Sequence, residues 1–249
     1  MSGLAHSYEK AIKKELGAHA AWLPVTNTLK VGDFGYFEGG VFRSLGNLKD
    51  RYSDIDLKIA PGPATKLNFV TEGIRVSKIG LGGKTTDSFA TLGDLEATLK
   101  YEFGKKNSLV LKANKVVIEQ LQNIDDVALA LAAKSNWRKK YKIVSATYTG
   151  ENCMIICARE SESDFTISAS ANILGEIEGG KAEGGFKTAS SKASTYDSIG
   201  ESGVVAIRLF KLNLFNQTKL LGDDQLTLDD IEITNDFDLD TEEGLEDDF

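Results

Sequence analysis

Residues 94–103 alternate between apolar and polar side chains without a fault. Successive side chains of a β-strand point to opposite faces of a sheet, so the alternation predicts a strand with one apolar face and one polar face. The segment 95–103 is nine residues long, and a tilted membrane-spanning strand requires about 9–11 residues. Two interpretations stay open, a half-buried strand of an ordinary sheet and a strand that enters a bilayer. The apolar face consists of Leu95, Ala97, Leu99, Tyr101 and Phe103.

A second stretch of the chain, residues 164–173, shows the same alternation. Its return segment, up to residue 195, is rich in glycine and small residues, which are poor material for a packed core. We therefore predict two extended hairpins, residues 67–103 and residues 164–195. In the first, residues 67–79 are the predicted partner strand and residues 80–85 the connecting loop. The apolar positions of the second alternation are Phe165, Ile167, Ala169, Ala171 and Ile173.

The remaining pattern predicts an α+β fold with a central twisted antiparallel sheet, flanking helices, the two extended hairpins and a short C-terminal tail. Apolar residues at spacings of three and four predict a core-packing helix over residues 115–134. Residues 141–149 and 153–159 are predicted to pair as a central hairpin across Gly150. Short apolar runs between turn residues predict further strands; these runs are residues 31–37, 41–42, 55–59, 109–113 and 204–215.

The N-terminal segment, residues 4–16, reads as an amphipathic helix that Gly17 ends. Lys10, Lys13 and Lys14 cluster on its polar side. A basic face on a surface helix commonly meets only water. It can also bind anionic lipid headgroups, at about 1 kcal/mol for each lysine near the surface. These three lysines are the candidate lipid-binding residues.

Charge is segregated along the chain. Residues 223–249 contain thirteen Asp and Glu and no Lys or Arg. Residues 1–222 then hold all 29 basic residues against 37 − 13 = 24 acidic ones, a formal charge of +5 that the overall −8 conceals. We predict one domain, residues 1–222, followed by an acidic tail, residues 223–249. Segregation of this kind is typical of an interaction tail or a solubilising tail.

The acidic tail also carries apolar residues in pairs two positions apart, which places both members of a pair on one face of an extended strand. This arrangement favours a tail that docks on the basic body by adding a strand to a sheet edge. The alternative is a disordered acidic tail with incidental aliphatic residues. The candidate tail contacts are Leu226, Leu228, Ile231, Ile233, Phe237 and Leu239.

The sequence contains no recognisable catalytic motif. There are two histidines, His6 and His19, and residues 80–85 lack the glycine spacing of a phosphate-binding loop. Cys153 and Cys157 would lie about 13 Å apart on one strand face, too far to form a disulfide or share a metal ion, so we expect buried structural thiols. We expect no catalytic residues, no metal and no cofactor.

The sequence also lacks the patterns typical of nucleic-acid binding, of a membrane-spanning helix and of a signal peptide. The longest basic run is residues 138–140, so no nucleic-acid partner is expected. The chain has no apolar run of about 18 residues and no signal-peptide pattern, so we expect synthesis in the cytosol.

Several segments together resemble the gasdermin family of pore-forming proteins, most closely its short microbial members. Residues 9–16 followed by residues 23–25 are similar to the basic first helix of that family and the segment after it. Similarity to the latter half of the pore-forming domain lies in residues 141–146, 168–173 and 203–212.

The resemblance implies a latent monomer in the cytoplasm that an activating protease converts by removing the tail. The body would then bind anionic lipids at the cell membrane and form a homo-oligomer. Both hairpins would insert as a β-barrel pore that kills the cell, as in antiviral defence. The competing hypothesis is a non-enzymatic interaction protein whose acidic tail binds a basic partner.

Overall fold

The structure is a computed structural model that describes residues 3–138, 140–191, 196–212 and 218–221. Its described part contains four α-helices, one short 3₁₀ helix and thirteen strands. The strand pairings given for these elements are antiparallel. The predicted α+β class with an antiparallel sheet and flanking helices is therefore confirmed. The helices are α1 (Gly3–Leu16), α2 (Leu48–Arg51), α3 (Ile124–Ala132) and α4 (Ala171–Glu178), with the 3₁₀ helix at Leu81–Gly83.

The strands are numbered in chain order. Those of the first half are β1 (His19–Ala20), β2 (Asp33–Glu38), β3 (Val41–Asn47), β4 (Ile59–Pro61), β5 (Thr65–Val70), β6 (Ile74–Ile79), β7 (Glu96–Phe103) and β8 (Ser108–Leu121). Those of the second half are β9 (Lys142–Ala158), β10 (Ser163–Ser170), β11 (Lys187–Ser190), β12 (Tyr196–Leu212) and β13 (Thr218–Leu221).

The chain divides into two compact units, and strands β8, β9 and β12 contribute residues to both. Unit 1 comprises residues 1–64, 117–149 and 203–249, and unit 2 comprises residues 65–116 and 150–202. In unit 1 the strand order is β1-β12-β9-β2-β3, with β13 also beside β12 and β4 beside β8. In unit 2, β5 pairs with β8, and a separate four-stranded sheet has the order β11-β10-β7-β6.

Helix α1 packs through its apolar side within unit 1, as its sequence predicts. Leu4, Tyr8 and Ile12 are buried, and the Tyr8 hydroxyl donates to the Val205 carbonyl at 3.0 Å. The helix ends where Gly17 adopts φ = 56° and its N–H donates to the Lys13 carbonyl. Left-handed backbone of this kind favours glycine, so the predicted C-terminal cap is confirmed.

Two predictions for the middle of the chain are wrong. The helix predicted over residues 115–134 is strand β8 up to Leu121, and α3 begins only at Ile124. The β-branched run 116–118 favours a strand, and β8 has neighbours in β4, β5 and β9. The hairpin predicted over residues 141–159 is the single strand β9. Its Gly150 makes no turn, because the strand continues through that residue.

A smaller correction concerns residues 55–58, which were predicted to begin a short strand. They lie outside any strand, and β4 starts at Ile59. Ile55 and Leu57 are nevertheless buried in the unit 1 core beside α3 residues such as Val127, so their apolar character reflects core packing in a loop. The apolar runs 31–37 and 41–42 contribute to the antiparallel strands β2 and β3, which are joined by a turn at residues 39–40.

Cys153 and Cys157 are free, buried thiols, as expected. Burial raises the pKa of Cys153 to about 12 and that of Cys157 to about 12. A thiol with so high a pKa is protonated at neutral pH, and the protonated form is a poor nucleophile.

Candidate membrane-inserting sheet

The four-stranded sheet of unit 2 joins the two alternating segments that the sequence singles out. Strand β7 carries the first alternation and β10 the second, and the two strands pair directly. The pairing covers eight residues of each strand, from Phe103 opposite Ser163 to Glu96 opposite Ser170. Strands β6 and β11 form the two edges of this sheet. We name this four-stranded element the hairpin sheet.

The apolar positions of β7 and β10 coincide across the pairing. Leu99 lies opposite Ile167, and Tyr101 lies opposite Phe165. All four side chains are buried, and they pack in one core cluster with Met154 and other residues of unit 2. Burial of a large apolar side chain is worth about 1.5–3 kcal/mol, so this face holds the hairpin sheet against the unit 2 core.

The polar positions coincide in the same way on the opposite face. The Thr98 and Ser168 hydroxyls lie 3.2 Å apart and share a hydrogen bond. The Lys100 ammonium lies 3.1 Å from the Glu102 carboxylate and 3.5 Å from that of Asp164. The central strands β7 and β10 therefore have one apolar face and one hydrogen-bonded, charged face. On the edge strand β6, Lys78 lies opposite Leu99, on the side of the apolar face.

The first predicted hairpin needs two corrections. Residues 67–79 were predicted as one partner strand, but they form β5 and β6 with a turn at residues 71–73. Of these two strands, β6 pairs with β7, whereas β5 pairs with β8. Gly73, with φ = 84°, allows the turn. Leu95 precedes β7 and is 49% exposed, so it does not share the buried face of Ala97 and Leu99.

The second predicted hairpin also needs a correction. Strand β10 ends at Ser170, and α4 begins at Ala171. Ala171 and Ile173 thus lie on a helix and not on the alternating strand face. Ala171, Leu174 and Ile177 recur at a spacing of three, and all three are buried in the unit 2 core. Ala171 fits both the period of a strand and the period of a helix. A helix forms here because its apolar face buries two further aliphatic side chains.

The candidate lipid-binding lysines lie on the outer side of α1. Lys10 and Lys14 are exposed, and Lys13 is 31% exposed with its ammonium 3.6 Å from the Glu9 carboxylate. The opposite side of α1 is buried, so the predicted separation of a basic and an apolar side is confirmed. Lipid binding by these lysines stays a prediction.

Glu9, in the middle of α1, forms a buried polar contact with the residues that follow the helix. Its carboxylate accepts hydrogen bonds from His19 Nδ1 at 2.9 Å and from the Ala20 N–H at 2.5 Å. Burial by itself would raise the pKa of Glu9, but the His19 hydrogen bond and charge, the Ala20 N–H and Lys13 together lower it. This contact ties α1 to β1, and nothing in the sequence pattern predicted it.

The six predicted tail contacts, Leu226, Leu228, Ile231, Ile233, Phe237 and Leu239, lie outside the described residues. The structure does describe the backbone of β13, just before the tail. Strand β13 pairs with β12 so that Leu221 lies opposite Leu209. On the same strand β12, β1 pairs at Ile207 and Ala206.

No described helix is both long enough and apolar enough to cross a membrane. Within the described ranges, no group of three or more His, Cys, Asp or Glu side chains is arranged to hold a metal ion.

Comparison with known proteins finds similarity in structure but not in sequence. No family model matches the sequence, and no curated protein matches it. The structure of a bacterial gasdermin from Bradyrhizobium tropiciagri matches with a TM-score of 0.38 and 11% identity, covering 86% of this chain and 90% of that one. The gasdermin A3 membrane pore, solved by cryo-EM, matches with a TM-score of 0.32 and 8% identity, covering 90% and 97% of the two chains. At these low scores, the likeness by itself assigns no activity to this chain.

The sequence pattern predicted the two central strands of the hairpin sheet, β7 and β10, but not that they are neighbours. Two features of the sequence indicated this pairing. The two alternating segments are of similar length, and their apolar positions can be placed opposite each other. Cross-strand neighbours on one face of a sheet are commonly alike in polarity, so the two segments could have been aligned before the fold was known.

Proposed function

We propose that this chain is a non-enzymatic, latent pore-forming protein that a protease activates by removing the acidic tail. In the active state its hairpins enter a bilayer, and several copies assemble into a β-barrel pore. The latent form is a cytoplasmic monomer, and the active form lies in the cell membrane. Permeabilisation of that membrane kills the cell, in keeping with a role in defence.

The amphipathic pair of central strands β7 and β10 is the single observation that carries the proposal. In a membrane barrel, side chains alternate between lipid and lumen along every strand, with charge disfavoured only on the lipid side. The buried face of β7 and β10 contains no charged side chain, whereas Lys100, Glu102 and Asp164 lie on the other face. The β7–β10 pairing thus supplies two neighbouring strands with the polarity pattern that a barrel wall requires.

The basic side of α1 supports the membrane as a target. Three lysines on one helix contribute about 3 kcal/mol of attraction to an anionic surface at about 1 kcal/mol each. They belong to a body with a formal charge of +5. Attraction of this kind brings the chain to anionic lipid before any hairpin is released.

The position of β13 supports the tail as the inhibitor. Strand β12 lies between β1 and β9 in the sheet order, and β13 also pairs with β12. His19 is paired with Ile207, and Leu221 is paired with Leu209. The two partners on β12 are two residues, or about 7 Å, apart along the strand. The chain leaves β13 in the direction of β1, which follows directly after α1. The tail thus follows a strand that pairs with β12, as does β1, the strand next to the lysine-bearing helix α1.

The test is dye leakage from vesicles that contain anionic lipid. A variant that lacks residues 223–249 and keeps β13 should release trapped dye, while the full-length chain should not. The folded state of the shortened protein is confirmed first by circular dichroism and a cooperative melt. If this folded protein leaves the vesicles intact at low salt, the pore-forming function is wrong, and a protein that binds basic partners through its tail becomes the better account.

A further inference from the structure

Helix α4 links the two hairpins, because it belongs to the second hairpin but is bound at its start by residues of the first. The Ala171 N–H donates to the Leu95 carbonyl at 2.9 Å, and the Asn172 N–H donates to the Gly93 carbonyl at 3.1 Å. The Asn172 side-chain amide donates to Asp94 at 2.8 Å. The first N–H groups of a helix have no acceptor within the helix, so residues just before β7 supply the missing acceptors.

The other end of α4 is bound by two lysines. The Lys78 ammonium of β6 lies 2.7 Å from the Glu178 carboxylate, with side chains only 21% and 34% exposed. The Lys112 ammonium of β8 donates to the Glu178 carbonyl at 3.0 Å. The carbonyl end of a helix carries partial negative charge, so both cations are favourably placed there. Solvent screens this ion pair less than one between fully exposed side chains.

The charges around Glu178 depend on one another. Burial lowers the pKa of Lys112, the Glu178 carboxylate opposes that shift, and the Lys78 ammonium adds to it. The Glu178 carboxylate thus offsets the repulsion between two ammonium groups. Loss of that carboxylate would weaken both lysine contacts, since each cation would then face the other without the intervening anion.

The backbone after α4 is bound to β8 as well. The Asn114 N–H donates to the Gly180 carbonyl at 2.9 Å, and Gly180 adopts φ = +88°. A Cβ atom at this position would lie 2.9 Å from the Asn114 nitrogen, so only glycine fits. Helix α4 is therefore fixed at both ends to residues that precede it by more than fifty positions.

We propose that α4 is a clasp between the two hairpins, and that Lys78, Glu178 and Lys112 set the rate at which it opens. The clasp holds the first hairpin to the second through the loop before β7 and through β6. The hairpins consequently separate from the unit 2 core together, and only after the Glu178 contacts break. The consequence for pore formation rests on the proposed function, whereas the clasp itself is a property of the latent fold.

The direct test is hydrogen exchange of the α4 amides, residues 171–178, in the full-length protein. Lys78→Met keeps the aliphatic stem, and Glu178→Gln keeps the shape of the side chain. Each variant should raise the exchange rate of α4 by roughly two- to tenfold, the range expected for a partly screened ion pair. Glu178→Gln should add little to the effect of Lys78→Met, because both substitutions remove the same ion pair. Lys78→Met also removes the hydrogen bond from Lys78 to the Asp87 carbonyl.

The matched control is Lys181→Met, which removes an exposed ion pair of similar length, 3.1 Å to Glu183, just after α4. It should leave α4 exchange unchanged. Unchanged exchange in both Lys78→Met and Glu178→Gln would overturn the clasp. So would an equal increase in the Lys181→Met control.

Leakage by the protein that lacks residues 223–249 then separates the clasp from the pore. The substitutions should raise the leakage rate by the same factor as the exchange rate. Faster exchange with no leakage from the unsubstituted shortened protein would leave the clasp standing and contradict the pore. Faster exchange with leakage at the unsubstituted rate would show that the clasp does not set the rate of opening, which contradicts the proposal.

Discussion

Val76 and Tyr101 lie directly opposite each other in the pairing of β6 with β7, yet Val76 is 43% exposed and Tyr101 is 1% exposed. The two side chains share the apolar face of the hairpin sheet, and only the central strand is fully covered by the unit 2 core. Edge position 76 can therefore be substituted without disturbing the core, which makes the lipid side of the sheet testable.

The first prediction concerns the lysines of α1. Replacement of Lys10, Lys13 and Lys14 by Gln should weaken binding of the protein lacking residues 223–249 to anionic vesicles by roughly 100-fold, from about 1 kcal/mol per lysine. The loss should shrink as salt is raised, because screening removes the same attraction. Vesicle co-sedimentation at several salt concentrations measures it.

The control for this prediction replaces Lys49 and Lys58, two exposed lysines of unit 1 away from α1, and should have a smaller effect for each charge. An equal loss per lysine in the two sets would show that net charge attracts the protein to the vesicle and that α1 has no special part.

The second prediction concerns the acidic tail. If the tail docks as a strand, Ile231→Asp combined with Phe237→Asp should release it, since each buried apolar side chain is worth about 1.5–3 kcal/mol. The full-length double variant should then leak dye from vesicles without cleavage. Substitution of the acidic neighbours Asp230→Asn and Asp236→Asn is the matched control. Rapid exchange of the tail amides in the intact, unsubstituted protein would contradict docking.

The third prediction concerns pH. The folded-state pKa of Glu9 is lowered, so its contribution to stability is fully present above its unfolded pKa of about 4.3 and is lost as pH falls through the folded value. Glu9→Gln should reduce the free energy of unfolding at pH 7 by about 1.5–3 kcal/mol, typical of a hydrogen bond to a charged group. Below pH 4 the difference should shrink.

Thermal melts of both proteins across this pH range measure the difference. Glu15→Gln, an exposed glutamate on the same helix, is the control and should leave the melting temperature nearly constant. A stability difference between Glu9→Gln and the unsubstituted protein that does not change with pH would contradict a role for the ionised carboxylate.

The sequence predicted the parts of the fold that depend on one clear period. Strand β7 and the end of α1 could be predicted from the local sequence pattern. Along each of these elements, a side chain faces either the core or the solvent. Periodicity alone gave the wrong prediction at two residues. Ala171 fits both a strand and a helix, and Gly150 lies inside a long central strand and not in a turn.

Contacts between distant segments could not be predicted in this way. The Lys78–Glu178 ion pair joins positions one hundred residues apart, and the Glu9–His19 contact depends on how α1 folds back onto β1. Lysine and glutamate are common on any surface, so only the tertiary arrangement singles out these particular residues.

The fourth prediction tests the central claim, that the apolar face of the hairpin sheet meets lipid. Val76→Arg places a charge on that face, where arginine near the bilayer midplane costs about 2–4 kcal/mol, whereas Ser77→Arg places it on the face opposite. Thr188→Arg and Ala189→Arg make the same comparison on β11, where both positions are exposed in the latent form. All four variants should fold, as melts of the full-length proteins will show.

The decisive measurement is the rate of dye release by these four variants without residues 223–249. We expect at least a tenfold loss for Val76→Arg and Thr188→Arg, from the cost of about 2–4 kcal/mol for the charge in lipid, with near-normal release by Ser77→Arg and Ala189→Arg. Equal release within each pair would show that the apolar face does not meet lipid, because a strand that crosses a bilayer must distinguish its two faces.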